Sequence, residues 1–199
     1  MVALTNMQHL SASIESEEET DVVVVGGGTA GWAAAYASAR KGARTTLVES
    51  LPCLGGTMTG AMVLGSAGFR HQGIATEDQE ISYEGDPLVR GVAQEFLNRL
   101  IELGGAWGKK DDPTVKLNFD HELTKVVMED MMTDAGVDIW FSAQFVDVVM
   151  DGNRVAGVLV STNGGLNVIW AKVVVDCSGD GAVAHRAGAP FEVGRASDG

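Results

Sequence analysis

Four valines run straight into three glycines in VVVVGGGTAG, residues 22–31. An unbroken β-branched run of this kind is the pattern of a strand buried on both faces, as in a parallel sheet. Gly26, Gly28 and Gly31 fill the spacing G-x-G-x-x-G. In that spacing the first glycine permits a tight turn. The second lets a pyrophosphate come close to the backbone, and the third lets a helix pack against the sheet. Thr29–Lys41 is rich in alanine and reads as that helix, with Gly42 where a C-terminal cap belongs. Thr45–Val48 is a second buried strand, ending at Glu49. A strand, a glycine turn, a helix and a second strand in about thirty residues predict a β-α-β unit, and with it an α/β fold built on a parallel sheet.

The chemistry of the unit follows from its ends. The first amides of a helix have no partner inside it, and the helix dipole adds partial positive charge there. Thr29 and Ala30 would present such amides to phosphate oxygens. Glu49 lies 23 residues after Gly26. It is placed to accept hydrogen bonds from adenosine ribose hydroxyls, and its charge disfavours a 2′-phosphate. The combination predicts a dinucleotide site.

Further along, Ser50–Phe69 is a glycine-rich connection too long for an ordinary turn. Residues 70–86 are polar. Pro87–Leu103 has apolar residues at helical spacing and ends at Gly104-Gly105, and residues 106–118 form a polar loop. Asp120 can cap a helix that runs to Ala135 and closes at Gly136, with the methionines of 128–132 as core filler. Strands are expected at Val137–Phe141, Gln144–Met150, Val155–Ser161, Leu166–Trp170 and Lys172–Asp176. Hairpin turns fall at Asp151-Gly152-Asn153 and Asn163-Gly164-Gly165.

After Glu49 comes Leu54-Gly55-Gly56-Thr57. Here the sequence resembles the FAD-dependent oxidoreductases of the glutathione-reductase and fumarate-reductase structural class. That resemblance implies that the backbone of Gly55, Gly56 and Thr57 lies along the cofactor. Residues 85–103 and 119–138 look like two helices of one broad FAD-dependent oxidoreductase family. The hairpin after them looks like the insertion that meets the adenine end, through Phe145 and Val146 by position. The stretch KVVVDCSGDGAVAHRAGAPFEVGR resembles the family's second signature, which would bring Ser178, Gly179 and Asp180 beside the cofactor.

The resemblance covers residues 21–199. It implies a Rossmann-like FAD-binding domain with a parallel sheet and an inserted antiparallel hairpin or meander. The implied activity is flavin-mediated hydride or electron transfer on a small organic substrate, with no catalytic residue assigned. Members of the class continue beyond the GR-x-x-DG region. A C-terminal substrate domain is therefore expected to be missing here or supplied by a partner subunit.

Rival readings stay open. One is an NAD-dependent Rossmann dehydrogenase, against which the GGT loop and the SGDG turn speak. Another is a truncated, non-catalytic nucleotide-binding fragment or split-enzyme subunit. Gly179, Gly181 and Ala184 also fit G-x-G-x-x-A, but the helix after them would stop at Gly188. Arg70 and His71, after the glycine-rich loop, read first as plain loop residues, with stabilising flavin charge or moving a proton as the alternative. His121 and His185 read as structural.

Other classes are excluded more simply. With 14 basic against 27 acidic residues the chain carries −13, so no surplus of positive charge exists for nucleic acid or an anionic membrane. The uncharged runs Val22–Ala39 and Ser50–Phe69 are broken by glycine or proline and lack the flanks of a membrane span. Cys53 and Cys177 are far apart without CxxC spacing, which argues against a zinc ribbon, a disulfide scaffold and a redox cysteine pair. No metal site is expected. Residues 1–20 read as an acidic flexible tail without the basic start of an export signal, so the cytoplasm is the expected compartment.

Overall fold

The computed structural model describes residues 13–66, 91–107 and 117–195. Arg70, His71 and the polar stretch 70–86 lie outside them, as do 108–116 and most of the N-terminal segment.

The chain opens with β1 (Ile14–Val25), then α1 (Thr29–Arg40) and β2 (Thr45–Val48). A single 3₁₀ turn at Gly56–Met58 follows, then the short β3 (Gly65–Ser66). Next come α2 (Val92–Glu102), β4 (Ala106–Trp107), β5 (Leu117–Phe119) and α3 (His121–Ala135). The chain continues through β6 (Asp138–Trp140), β7 (Gln144–Asp151), β8 (Arg154–Thr162), β9 (Gly165–Asp176) and α4 (Ala182–Arg186).

Six strands form one sheet in the order β6-β2-β1-β9-β8-β7. The β6, β2, β1 and β9 neighbours are parallel, whereas β9-β8 and β8-β7 are antiparallel. The β-α-β start and the parallel sheet are those expected, and the meander β7-β8-β9 is its antiparallel insertion. A small antiparallel sheet, β3-β5-β4, sits apart from it.

Alternation along β1 divides the core in two. Val24 joins the helical side with Trp32, Phe96, Leu100, Phe119, Met128, Met131 and Met132. Trp32 meets the edge of Phe96 at 5.3 Å between ring centroids and donates its indole N–H to Met128 O at 3.2 Å. The methionines of α3 are core filler, as their spacing predicts. Each such buried side chain contributes about 1.5–3 kcal/mol. Val23 and Val25 face the other way and cluster with Val48, with Val158 and Val160 of β8, and with Val183 of α4. The meander and α4 thus supply the second face of cover that an all-apolar parallel strand requires.

Residues 106–118, read as a polar loop, contain β4 and the start of β5 where they are described. Two further expectations need correction. Residues 14–20, read as flexible tail, are the first half of β1. They pair in parallel with Leu166–Ala171 of β9. Ser16 Oγ donates to Asn167 Oδ1 at 2.8 Å, and the Trp170 indole N–H donates to Glu17 Oε2 at 2.9 Å. Residues of low strand propensity are held here by a partner strand distant in sequence, and that context overrides the local preference. Likewise, Leu166–Trp170 and Lys172–Asp176 are one strand. Alongside β1 the same register pairs Thr20 with Ala171 and Val22 with Val173, and β9 runs from the meander straight into the parallel sheet.

Candidate functional site

The turn after β1 is held between its two neighbours. Gly26 N donates to Val48 O of β2 at 2.8 Å, and Cys177 N donates to Val25 O at the same distance. Gly26 has φ +99°, and a Cβ there would lie 2.3 Å from Cys177 O. A Cβ on Gly31 would lie 1.7 Å from Gly26 O, so α1 sits directly on the turn. Gly28 differs from both. Its φ of −65° suits any residue, and a Cβ would meet nothing nearer than Gly56 Cα at 4.0 Å. The space in front of Gly28 is open.

The first turn of α1 has no side-chain cap and no acidic residue. The contrast with α3 is informative. There the Asp120 carboxylate accepts from Glu122 N at 2.8 Å and Leu123 N at 3.0 Å. At α3 the chain satisfies its own helix start, whereas at α1 it leaves amides for an outside acceptor.

Glu49 is 5% exposed, so its partners matter. Its Oε2 accepts from Gly27 N at 2.6 Å, and its Oε1 accepts from Leu51 N at 2.7 Å and Ser50 Oγ at 3.1 Å. A carboxylate offers about four lone-pair sites. Three bonds leave room for one more donor. The second glycine loop lies against the first, with Gly55 N donating to Gly27 O at 2.9 Å and a parallel bridge joining Gly28 to Gly55.

The SGDG turn is organised by a residue that the motif reading passed over. Asp176 accepts from Ser178 N, from Ser178 Oγ at 2.7 Å and from Ala184 N at 2.9 Å. Ser178 Oγ in turn accepts from Ala182 N at 2.9 Å, so that hydroxyl is used within the protein. Burial pushes the Asp176 carboxyl up, and the hydrogen bonds from Ala184, Ser178 and Val183 more than offset it, holding it below the usual range. A lowered carboxyl stabilises the fold above the unfolded value of about 3.9 and ceases to do so as pH falls from there through the folded value. Thermal melts of wild type and Asp176→Asn should therefore differ at pH 7, and the difference should shrink as pH falls below about 3.9. Equal melts at pH 7 would show that the clamp contributes nothing.

These pieces enclose a cleft of about 650 Å³. Gly26, Gly28, Thr29, Ala30 and Glu49 line it from the β-α-β unit, and Gly56 and Thr57 from the second loop. Phe145 and Val146 line it from β7, and Ser178, Gly179 and Asp180 from the SGDG turn. Gly31 and Gly55 do not line it. Gly31 backs onto Gly26, and a Cβ on Gly55 would strike Thr59. Both serve the packing behind the wall.

Sequence reasoning missed Cys177, His185 and Arg186, which also line the cleft. His185, expected to be structural, packs edge-on against Phe191 while facing this space. A signal existed in the adjacent His-Arg pair just after the turn, but no spacing rule assigns it. Burial and the Asp176 charge push the Cys177 thiol up, so it stays protonated near neutrality. Among the described residues, no group of three or more His, Cys, Asp or Glu could hold a metal, and no helix is long and apolar enough to cross a membrane. The rival second nucleotide turn leads only into α4, a helix of five residues.

A parallel sheet with an antiparallel meander, and a cleft at its glycine turn, define a Rossmann-like flavoprotein fold. The model of the family "FAD dependent oxidoreductase" matches residues 21–199, and the chain belongs to that family, whose cofactor is FAD. It is 29% identical over 171 residues to a digeranylgeranylglycerophospholipid reductase of Picrophilus torridus, covering 82% of this chain and 40% of that protein. It is 29% identical over 172 residues to a thiamine thiazole synthase of Pyrococcus horikoshii, covering 82% and 59%. The chain thus spans about half the length of these relatives. Among solved structures, THI4 of Thermovibrio ammonificans superposes with a TM-score of 0.58 at 24% identity, covering 84% of this chain and 61% of that one. A geranylgeranyl bacteriochlorophyll reductase-like protein of Thermoplasma acidophilum gives 0.56 at 20% identity, covering 86% and 42%. These two likenesses establish the fold.

Proposed function

We propose that the cleft holds the ADP portion of FAD, and that the protein is an oxidoreductase moving a hydride or electrons between a small organic substrate and an acceptor. The observation that carries this reading is the uncapped start of α1 behind Gly28, opening into the cleft with Glu49 at its wall. Thr29 and Ala30 would give their amides to the phosphates. Glu49 would spend its remaining lone pair on a ribose hydroxyl, while its bonds to Gly27 and Leu51 keep the carboxylate from turning away. The backbone at Phe145 and Val146 is suited to an adenine edge. Gly56, Thr57, Gly179 and Asp180 border the remaining space, where the chain leading to the flavin would run. Bound FAD supplies the hydride and electron chemistry, and these residues supply binding and orientation.

Residues 21–199 then form the FAD-binding portion of a longer architecture. Its substrate-shaping part lies in a further domain or a partner subunit, a reading supported by the relatives' greater length. Those relatives' names point to different substrates, so none is carried over. The cytoplasm fits the two free thiols, Cys53 and Cys177.

The test is the chain's own cofactor. Purified chain, or chain refolded with cofactor, should retain FAD in preference to FMN or NAD, measured by visible absorbance and by identifying the released compound. FMN lacks the adenosine that Glu49 would hold. Equal or tighter calorimetric binding of NAD with no flavin uptake would overturn the reading in favour of an NAD-dependent dehydrogenase.

A further inference from the structure

A diphosphate in this cleft would meet unfavourable charge. The wall already carries two carboxylates, Glu49 and Asp180, in a chain of net charge −13. The start of α1 offers only about half a unit of positive charge. Among the described residues lining the cleft, one permanent cation is present, Arg186. We propose that Arg186 is the phosphate-binding cation of this site, reaching the phosphoanhydride of the adenine dinucleotide from α4 as the α1 amides reach it from the other wall. This deepens the FAD reading above and rests on it.

Two observations and the chemistry of the guanidinium support the assignment. The base of the side chain is fixed, because α4 is anchored through Val183 in the core and through Ala184 N on Asp176. The head is held loosely. Its ion-pair partner, Asp147 Oδ2, lies 4.0 Å away, and both side chains are about half exposed. A contact of that length between exposed groups is easily exchanged for a better one. The planar fork of a guanidinium also matches two phosphate oxygens, which an ammonium or an imidazole does not. A purely structural tie between α4 and β7 would be expected to show a shorter pair than this one.

The experiment titrates the 199-residue chain with ADP and with adenosine, which share base and sugar and differ only in the phosphates. Arg186→Gln should weaken ADP binding by about tenfold or more and flatten its salt dependence. It should leave adenosine binding and the melting temperature unchanged. Arg186→Lys should recover part of the ADP affinity. Asp147→Asn, which removes the competing carboxylate charge, should leave ADP binding equal or tighter. FAD retention should fall with ADP affinity across the set. Unchanged ADP binding in Arg186→Gln would overturn the proposal, as would equal losses for ADP and adenosine. A wild-type chain that binds neither FAD nor ADP would overturn the cofactor reading and this inference with it. A wild-type chain that binds FAD while Arg186→Gln binds it equally would overturn this inference alone.

Discussion

A Gly28→Val chain should melt within a few degrees of wild type and carry no FAD. The two halves of that result come from the same measurement on the structure. Gly28 has φ −65° and ψ −176°, so a side chain causes no backbone strain, and a Cβ meets no protein atom closer than 4.0 Å. Replacing glycine at the N-cap by an apolar residue costs about 1 kcal/mol. The branched side chain would instead project into the cleft, where a pyrophosphate must approach the backbone. Loss of the close approach and of the amide contacts behind it should lower FAD affinity by at least about a hundredfold, since several charge-assisted bonds of roughly 1.5–3 kcal/mol each go together. Flavin absorbance per folded chain gives the answer directly. Normal FAD content in a folded Gly28→Val protein would place the phosphates somewhere else.

Gly31→Ala should do the reverse, removing the fold rather than only the ligand. In an ordinary helix this change is stabilising by about 1 kcal/mol. Here the new methyl would sit 1.7 Å from Gly26 O and 3.0 Å from Cys177 Cβ, and no flexible side chain stands between them. The helix would have to lift off the turn, separating Trp32 and Ala35 from Val24 and Leu47 of the sheet. A loss of roughly 3 kcal/mol or more is expected, a large part of the 5–15 kcal/mol that holds a typical domain together. Urea or thermal unfolding of the purified variant measures it. A wild-type melt would mean that α1 does not pack on the turn as described. Two glycines three residues apart in one motif are thus expected to fail in opposite ways, one by occupying ligand space and the other by occupying backbone.

The parts of this molecule that were legible in its sequence are those whose cause is local. The valine run, the turn glycines and the alanine-rich helix each act on their neighbours within a few residues, so β1, α1 and β2 could be placed to within a residue or so at the turn. Asp120 and Gly136 mark the ends of α3 for the same reason. What escaped was set by distant partners. Glu15–Glu19 have the composition of a solvated tail and become strand only because β9 lies beside them. Glu49 was legible as a wall residue but not as a clamp on Gly27 and Leu51, because that geometry depends on how the second glycine loop returns to the first. Gly31 and Gly55 belong to the motifs yet stand behind the cleft. Arg186 and His185 enter it only because the meander and α4 fold over the sheet.

The long ladder between β1 and β9 also sets an order of events during synthesis. Ser16 and Asn167 are 151 residues apart and bond side by side. At about 5–20 residues per second, the ribosome needs roughly 8–30 s after making one before it makes the other. Throughout that interval the strand at the centre of the future sheet has one flank with no native neighbour. A valine-rich edge left waiting is a template for pairing with any other nascent chain. The acidic segment just ahead of it, which adds nothing to the apolar core, carries repelling charge along the flank that waits longest. The charge of these glutamates would disfavour pairing of that edge with another chain during the interval, in addition to the bond that Glu17 makes with Trp170 once β9 is in place.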